Sequence, residues 1–296
     1  VPALLGTLFL GACSDDASFE GEGKQQTYSL VVKGITTSGS DSSEELRDVS
    51  VFQFSDGNLY KTQQLTPESN GQSSISALSG SRLYFLTGVT LPVQEEGITE
   101  EEFRNMTIGE ELHNNSAPDF MAAIVELEST PQTRSNQEIN VGMKRGVARI
   151  DLNTTADSKT LIKEIIVKDA PAETYPFIEN ASASDKTVSY LKKFDPAFGG
   201  EQQGIFRIFE SKRPVNIILR GTYNEIPISL KMQLPSIERN KVYELSVLNV
   251  GATVEGIFEI KPWEEGETII GKPDTEHRIL LNASPVSYTH LTLPTN

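Results

Sequence analysis

The side chains that could carry covalent or metal chemistry are few. The 296 residues include one cysteine, Cys13, and three histidines, His113, His277 and His290. A single cysteine excludes an internal disulfide and the paired cysteines of a C-x-x-C redox site. Zinc sites need clustered histidine, cysteine or carboxylate ligands, and these histidines stand far apart in the sequence. The sequence therefore predicts no metal and no cofactor.

Short motifs that mark common enzyme sites are also absent from the sequence. It has no G-x-S-x-G elbow, no Walker loop and no G-x-G-x-x-G, and its acidic stretches lack the spacing of a calcium loop. Spacing alone leaves a carboxylate pair for glycoside hydrolysis open, because such partners meet in space. With no positive signal for catalysis, we expect a protein that is not an enzyme.

Cys13 lies where an apolar run changes into an acidic stretch. Residues 1–10 are nearly all apolar or small, which matches a signal-peptide core and is too short to span a bilayer. The run ends in "LGAC", which resembles the bacterial lipobox. That resemblance implies cleavage before Cys13 and a diacylglyceryl group on its sulfur. A small buried core cysteine is the alternative interpretation, and the acidic flank favours the lipid.

The residues after the cysteine suggest export and a tether. Ser14, Asp15 and Asp16 resemble the surface-export signal of Bacteroidetes lipoproteins. Residues 13–26 are polar and poor in aromatic side chains, which predicts a lipidated, flexible tether. Because no initiator Met and no basic region precede the apolar run, we interpret residues 1–12 as a truncated signal peptide.

The last segment, "VSYTHLTLPTN" (286–296), resembles the translation of a sequencing-library transposase adapter. An ordinary polar, strand-like tail is the alternative. We leave these residues out of the fold prediction and expect the natural chain to continue differently after residue 285.

The composition is that of an acidic globular chain. Its 37% hydrophobic and 23% charged residues are ordinary, and its length leaves room for roughly two domains. A formal net charge of −15 argues against nucleic-acid binding, which requires Lys and Arg to neutralise phosphates. No internal apolar run reaches transmembrane length, so we expect membrane attachment only through Cys13.

Alternating, β-branched segments follow the tether. "TYSLVVKGI" predicts a first strand, and "LRDVSVFQFSDGNLYKTQQL" predicts a hairpin that turns at Asp56-Gly57, since this pair supplies positive φ angles. "TEEEFRNMTIGEEL" predicts a helix in which Thr99 is the cap and Glu102 completes a capping box.

Strand patterns continue through the second half. They predict strands at 163–169, 204–210, 214–223, 226–234, 241–249 and 253–261. Turns are predicted at Gly221 and at Asn224-Glu225, and "SYLKKF" predicts a short helix or an irregular connection. Together these patterns predict an all-β fold of two consecutive Greek-key β-sandwich domains, with one or two short helices in the first. The expected domains are residues 27–144 and 145–266, followed by the start of a truncated further unit at 267–285.

Two segments carry charged or aromatic residues inside strand patterns. In "VGMKRGVARIDLNT", Arg149 and Asp151 share a face opposite apolar neighbours, so we expect the charges on an exposed face or a seam of a strand that crosses between domains. The turn "IERN" contains Arg239 and Asn240, and the later "IKPWEEG" predicts that Trp263 closes the core as a lid.

The ordered segments resemble a known family. "MKRGVARIDL", "IFRIFES", "IERNKVYELSVLNVG" and "IKPWEEG", behind a lipobox, are similar to the fimbrillin-like lipoproteins of Bacteroidetes, the shaft, anchor and tip subunits of type V pili. The "LRDVSVFQFSDGNLY" hairpin resembles their amino-terminal domain, and the likeness covers residues 13 to about 266.

This resemblance implies two transthyretin-like β-sandwich domains and a lipid-anchored location at the outer membrane, on the cell surface and in a fimbrium. It implies other fimbrillin-like subunits as partners by donor-strand addition, and a host protein or glycan as a further ligand. It also implies structural roles for the motif residues Arg145, Arg149, Arg239, Asn240 and Trp263.

In the shaft subunits of that family, a protease cuts after an arginine in the loop that follows the first strand. The cut frees a groove that a strand from another subunit fills. Here the loop "GITTSGSDSSEE" has no arginine, and the nearest, Arg47, begins the next strand pattern. Alternatively, Arg47 is an exposed residue at the start of a strand and is not a cleavage site. The departure favours an anchor, tip or accessory subunit, and a further unit after residue 266 favours the last two.

A second function is also open. Carbohydrate-binding surface lipoproteins of glycan-uptake systems share the lipobox, the acidic export signal and β-sandwich modules. Such proteins bind sugars through exposed aromatic platforms, for which the single tryptophan, Trp263, would have to serve.

Overall fold

A computed structural model describes residues 25–34, 48–66, 72–93, 97–109, 116–129, 137–155, 159–250 and 253–263. These residues form seventeen strands and one short helix, which confirms the predicted all-β class. Among them, no helix combines the length and apolarity that a membrane crossing requires. The predicted signal peptide, most of the tether, the further unit and the adapter-like tail lie outside the described residues.

The elements before Gly146 are eight strands and one helix. They are β1 (Gln25–Gly34), β2 (Val49–Ser55), β3 (Asn58–Leu65), β4 (Gln72–Leu78), β5 (Arg82–Thr87), α1 (Glu100–Arg104), β6 (Ile108–Gly109), β7 (Met121–Glu126) and β8 (Gln137–Arg145). Seven of the strands form one sheet in the order β3-β2-β5-β7-β8-β1-β4. β1 runs parallel to β8 and antiparallel to β4.

β8 changes partner along its length. Its residues 137–143 pair with β1, and only its last two residues pair with β7. The sheet therefore folds over at β8 into two layers, β3-β2-β5-β7 and β8-β1-β4. Side chains from both layers, including Leu30, Val51 and Phe85, enclose a hydrophobic core.

The predicted hairpin is confirmed between β2 and β3. Asp56 and Gly57 have φ angles of 49° and 76°, as a tight turn with two positive φ residues requires. β2 is buried on both faces, because Val51 enters the core between the layers and Phe52 enters a second core on the other face.

The predicted capping box of α1 is confirmed as well. The Thr99 backbone N–H donates to the Glu102 carboxylate at 3.0 Å, and the Thr99 hydroxyl accepts from the Glu102 backbone N–H at 3.3 Å. The helix buries Phe103 against the second face of the β2-β5 layer.

The elements from Val147 onward are nine strands. They are β9 (Val147–Asn153), β10 (Thr160–Pro171), β11 (Glu173–Thr174), β12 (Thr187–Phe198), β13 (Glu201–Phe209), β14 (Val215–Tyr223), β15 (Ile226–Leu234), β16 (Lys241–Val250) and β17 (Thr253–Pro262). Two four-stranded sheets, β12-β10-β14-β15 and β13-β9-β16-β17, enclose a shared hydrophobic core. A two-stranded sheet of β6 and β11 joins the parts of the chain before and after Gly146.

Two local predictions in the second half are wrong. "SYLKKF" belongs to β12, because its edge position lets Tyr190 face the core while Lys193 faces outward. Gly221 lies inside β14 rather than in a turn. An added Cβ there would come within 2.0 Å of the Leu161 carbonyl oxygen, so glycine permits the close approach of β10. The turn at Asn224-Glu225 is confirmed, with φ angles of 47° and 69°.

Gly146 lies where β8 ends and β9 begins. The large sheet contains only strands that precede it, and the two four-stranded sheets contain only strands that follow it. The domain limits predicted from the sequence stay a prediction. An added Cβ at Gly146 would lie 1.9 Å from the nearest ring carbon of buried Phe120. The absent side chain therefore makes room for this ring.

We predict that Gly146→Ala lowers the free energy of unfolding by about 1–3 kcal/mol, because the methyl group overlaps the Phe120 ring in a packed core. Chemical denaturation monitored by tryptophan fluorescence measures this loss. Gly109→Ala is the matched control, since an added Cβ there meets no atom within 4 Å. Equal stabilities of the two variants would contradict this packing role.

Candidate functional site

The sequence-predicted site residues divide into two groups. Cys13, Ser14, Asp15, Asp16 and Arg47 lie outside the described residues. The motif residues Arg145, Arg149, Arg239, Asn240 and Trp263 are described, and the structure brings them together where β8, β9, β16 and β17 meet. We call this group the junction site.

Trp263 is the centre of the junction site. It is only 4% exposed and belongs to the core that both halves of the chain share. The guanidinium carbon of Arg145 lies 4.9 Å from the centroid of its ring, and that of Arg149 lies 5.1 Å away. Both cations are therefore within cation–π range of one indole. The contact joins the end of β8 to β9 and to the residue after β17.

Each of these arginines also pairs with a carboxylate. Arg145 donates to Asp119 at 2.5 Å, and Arg149 donates to Asp151 at 2.9 Å. Asp151 is 4% exposed and accepts a further bond from the Gly204 backbone N–H at 2.7 Å. Buried ion pairs need such additional bonds to offset desolvation. Of the two positions expected for these charges, an exposed face or a seam, the structure shows the seam.

Asn240 lies in the turn that immediately precedes β16 at this seam. Its φ angle of 58° is a left-handed conformation that asparagine tolerates better than most residues. Its backbone N–H donates to the Val147 carbonyl at 2.9 Å, and its own carbonyl accepts from the Trp263 N–H at 3.2 Å. One turn therefore fixes both the start of β9 and the end of β17.

Arg239, the other residue of the turn, is buried in an ion pair with Glu210. Their side chains are 9% and 5% exposed. The Arg239 guanidinium also donates to the carbonyls of Tyr175, Pro176 and Ile178 at 3.0–3.2 Å. Arg239 therefore holds the 175–178 loop in place through hydrogen bonds to the backbone carbonyls of that loop.

Phe177, which lies in that loop, packs against aromatic residues that precede Gly146. The Phe177 ring centroid lies 4.9 Å from that of Tyr84 on β5 and 5.2 Å from that of Phe103 on α1. Such aromatic pairs contribute about 0.5–1.5 kcal/mol beyond the burial of their area. Arg239 thus stabilises the contact between the two halves indirectly, by positioning Phe177.

A polar contact fixes α1 over the same aromatic residues. Glu100 accepts from the Tyr84 hydroxyl at 2.5 Å and from Arg82 at 2.6 Å. Burial together with the Glu100 carboxylate raises the pKa of Tyr84 to about 12. Burial opposes ionisation of Glu100, but the bonds from Tyr84 and Arg82 outweigh it and keep the pKa of this carboxyl below its usual value.

Sequence reasoning found the five motif residues but missed their partners. Asp119, Glu210 and Phe177 carry no local signal, because each meets its partner across tens of residues of sequence. Among the described residues, no group of three or more His, Cys, Asp or Glu side chains is placed to hold a metal ion. The contacts of the junction site are those of a structural joint.

The first strand holds an interior position in the large sheet. Residues 28–34 of β1 pair with β8, and residues 25–31 pair with β4. Tyr28 and Leu30 are 2% and 0% exposed in the core between the layers. β1 therefore supplies both ladder bonds and core side chains to the strands on either side.

Comparison with solved structures shows the fold. The chain is similar to the tip fimbrial protein Mfa3 from Porphyromonas gingivalis with a C-terminal truncation, at a TM-score of 0.59 and 10% identity over 81% of this chain and 100% of that one. It is also similar to a fimbrilin (FimA) from Porphyromonas gingivalis W83, at a TM-score of 0.56 and 11% identity over 81% and 98%.

A third similar structure is a fimbrial assembly protein from Parabacteroides distasonis, at a TM-score of 0.52 and 12% identity over 80% of this chain and 95% of that one. No protein-family model and no curated protein matches the chain. The chain thus has the fold of these fimbrial proteins.

We predict that Arg239→Met lowers the free energy of unfolding by about 3–5 kcal/mol, because Glu210 loses its partner in a buried site. The double variant Arg239→Met/Glu210→Gln should lose less than this. Thermal and denaturant unfolding measure both.

Arg213→Met is the matched control for this prediction. Arg213 pairs with Asp185 on the surface, where the side chains are 50% and 92% exposed, so its loss should cost less than about 1 kcal/mol. Equal losses for Arg239→Met and Arg213→Met would show that the buried pair has no special role.

Proposed function

We propose that this protein is a cell-surface lipoprotein that serves as a structural or adhesive subunit of a type V pilus-like fimbria. The observation that carries the proposal is the fold, which matches the tip fimbrial protein Mfa3 over that entire chain. In this proposal Cys13 carries the lipid at the outer membrane, and Ser14, Asp15 and Asp16 direct export. The two sandwiches then extend from the tether at residues 13–26.

Association with other subunits by strand addition would use the place of β1 in the sheet, and it requires β1 to be displaced, whether or not the chain is cut after it. If β1 left the sheet, β8 and β4 would each expose a row of unpaired backbone groups. The sites of Tyr28 and Leu30 would become pockets for alternate side chains of an incoming strand. An extended segment of another subunit could restore both the ladder bonds and the core, as in other β-strand additions.

The subunit type follows from the segment after β1. Between β1 and β2 the sequence has a single arginine, Arg47, two residues before β2 begins. An anchor, tip or accessory subunit requires no cleavage there, whereas a shaft subunit does in the family that the sequence resembles. We therefore favour those three roles, with domains at residues 27–144 and 145–266.

The glycan-uptake alternative required Trp263 as an exposed platform. Trp263 is 4% exposed and lies within cation–π range of two guanidinium groups, so it presents no free face to a sugar. No observation favours this alternative over the fimbrial role.

The test uses the full-length protein in a fimbriated Bacteroidetes host. We expect palmitate to label the protein, and the protein to co-purify with fimbriae sheared from the cells. Cys13→Ala should lose the label and the membrane fraction, whereas the control Ser18→Ala, also in the tether, should keep both. Equal labelling of the two variants contradicts the anchor. A protein that is never recovered with other fimbrial chains contradicts the fimbrial role.

A further inference from the structure

The sheet β12-β10-β14-β15 has one face on the hydrophobic core and one face directed outward. All of its strands pair antiparallel, so the register shows which residues share the outward face. A sheet of this kind usually alternates apolar side chains inward with polar side chains outward. The central outward row departs from that rule, because it consists of Leu191, Ile166, Ile218 and Lys231.

The three aliphatic residues of this row are only partly covered. Leu191 is 39% exposed, and Ile166 is half-buried although β10 is an interior strand. The hydrophobic core is filled by their neighbours along the strands, such as Ile165 and Ile217, whose side chains point the other way. Core packing therefore does not account for aliphatic residues on the outward face. The row forms an apolar strip at the centre of that face.

Lysine side chains surround this strip. Lys168 and Lys193 lie in the rows on either side of it, and Lys231 lies at its end. All three side chains are exposed, and none has a carboxylate partner among the described residues. We call this surface the lysine face, and its residues are Ile166, Lys168, Leu191, Lys193, Ile218 and Lys231.

The carboxylates beside the lysine face are engaged elsewhere or offset. Glu164 pairs with Arg220 at 2.6 Å, and Asp169 accepts a bond from a side-chain amide of β14 at 2.7 Å. Lys163 and Asp195, where β10 and β12 lose register, carry opposite charges that cancel. The lysine face is thus positive on a chain whose formal net charge is −15. Such a face is complementary in charge to other copies of the same acidic chain.

The layout of the lysine face favours a protein partner over a membrane. Interfaces between proteins combine an apolar centre with a polar rim, which is the arrangement of this strip and its lysines. Binding at a bilayer surface requires apolar side chains that enter the boundary of the acyl chains. Ile218 is only 9% exposed and lies between longer side chains, so the strip is too low to enter a bilayer.

We infer that the lysine face docks a second copy of this chain, head to tail. Two lysine faces repel each other, so the lysines of one copy must meet carboxylates on a different surface of the next copy. The face measures about 20 Å by 25 Å, or roughly 500 Å². Stable interfaces bury about 800 Å² per partner, so this contact is weak between two free copies. It gains strength where several copies are held close together.

Carbodiimide crosslinking of the full chain tests this inference, because the reagent joins a lysine amine to a carboxylate only where the two groups touch. Unlabelled and isotope-labelled protein are mixed at low ionic strength, so that peptide masses separate links between copies from links within one copy. We expect mixed links from Lys168, Lys193 or Lys231, in a ladder of dimers, trimers and larger species. The ladder should fade at about 1 M salt, where the screening length falls to roughly 3 Å.

Charge variants test the lysines themselves, with association measured by sedimentation equilibrium. Lys193→Gln/Lys231→Gln should weaken association roughly fivefold or more, as expected for two lost ion pairs. Lys193→Arg/Lys231→Arg keeps both charges and should keep the association. The matched control Lys61→Gln/Lys212→Gln removes two exposed lysines outside the lysine face and should also leave association unchanged.

Leu191→Asp tests the apolar strip. Because Leu191 is 39% exposed on an edge strand, we expect this variant to keep its unfolding midpoint and to lose association. The matched control is Ile226→Asp. Ile226 is 65% exposed in the same sheet, but it pairs with Tyr223 and lies outside the lysine face, so its replacement should leave association unchanged.

Three results would overturn the inference. The first is equal association of the lysine-face variants and their controls. The second is a set of links confined to one copy, or a ladder that stops at the dimer, since neither fits a head-to-tail contact. The third is binding to phosphatidylglycerol vesicles that requires Lys193 and Lys231 without self-association, which gives the face to a membrane. None of these measurements uses fimbriae or a lipid on Cys13, so the inference and the proposed function fail separately.

Discussion

The contact of two arginines with one tryptophan is the interaction on which the rest of this structure depends. Trp263 follows the last described strand, Arg145 ends β8 and Arg149 lies in β9, so a single indole ties two consecutive strands to the end of β17, which is distant in sequence. Asp119 and Asp151 neutralise the two cations within the same seam. The Arg239–Glu210 pair adds a second constraint by directing Phe177 into the aromatic residues of the first half. The two halves of the chain are therefore joined by the Arg145–Trp263 contact and by the packing of Phe177, and the charge pairs within each half hold these groups in position.

This joint matters for function because it fixes β8. One edge of β8 carries β1, the strand whose place a neighbouring subunit would take in the proposed assembly. The other edge diverges from β7 and forms one wall of a cleft between the two strands. The contact between the end of β8 and Trp263 helps to hold both edges of β8 in register.

Much of the fold could be predicted from the sequence, since it depends on local patterns. The Asp56-Gly57 turn, the capping box at Thr99 and the alternation of β16 all have signals within a few residues. The prediction for "SYLKKF" is wrong because core and charged residues alternate only weakly along this edge strand. The local pattern therefore does not distinguish a strand from a short helix or an irregular connection. Only some residues of the junction site could be predicted from the sequence. The arginines and Trp263 stand out in sequence, but Asp119, Glu210 and Phe177 are ordinary residues whose role arises from tertiary contact. The β7–β8 cleft has no sequence signal, because it results from where two strands cease to pair.

The most direct test of the central claim is amide hydrogen exchange along β8 and β1 in Arg145→Gln, with Lys144→Gln, the adjacent exposed cation, as control. If the Arg145–Trp263 contact fixes β8, exchange in residues 28–34 and 139–143 should rise about tenfold in Arg145→Gln and stay unchanged in the control. The centres of β10 and β14, which pair with each other in the second half, should exchange at the same rate in both variants. Unchanged exchange in β8 and β1, or an equal rise in every strand of the protein, would contradict the claim.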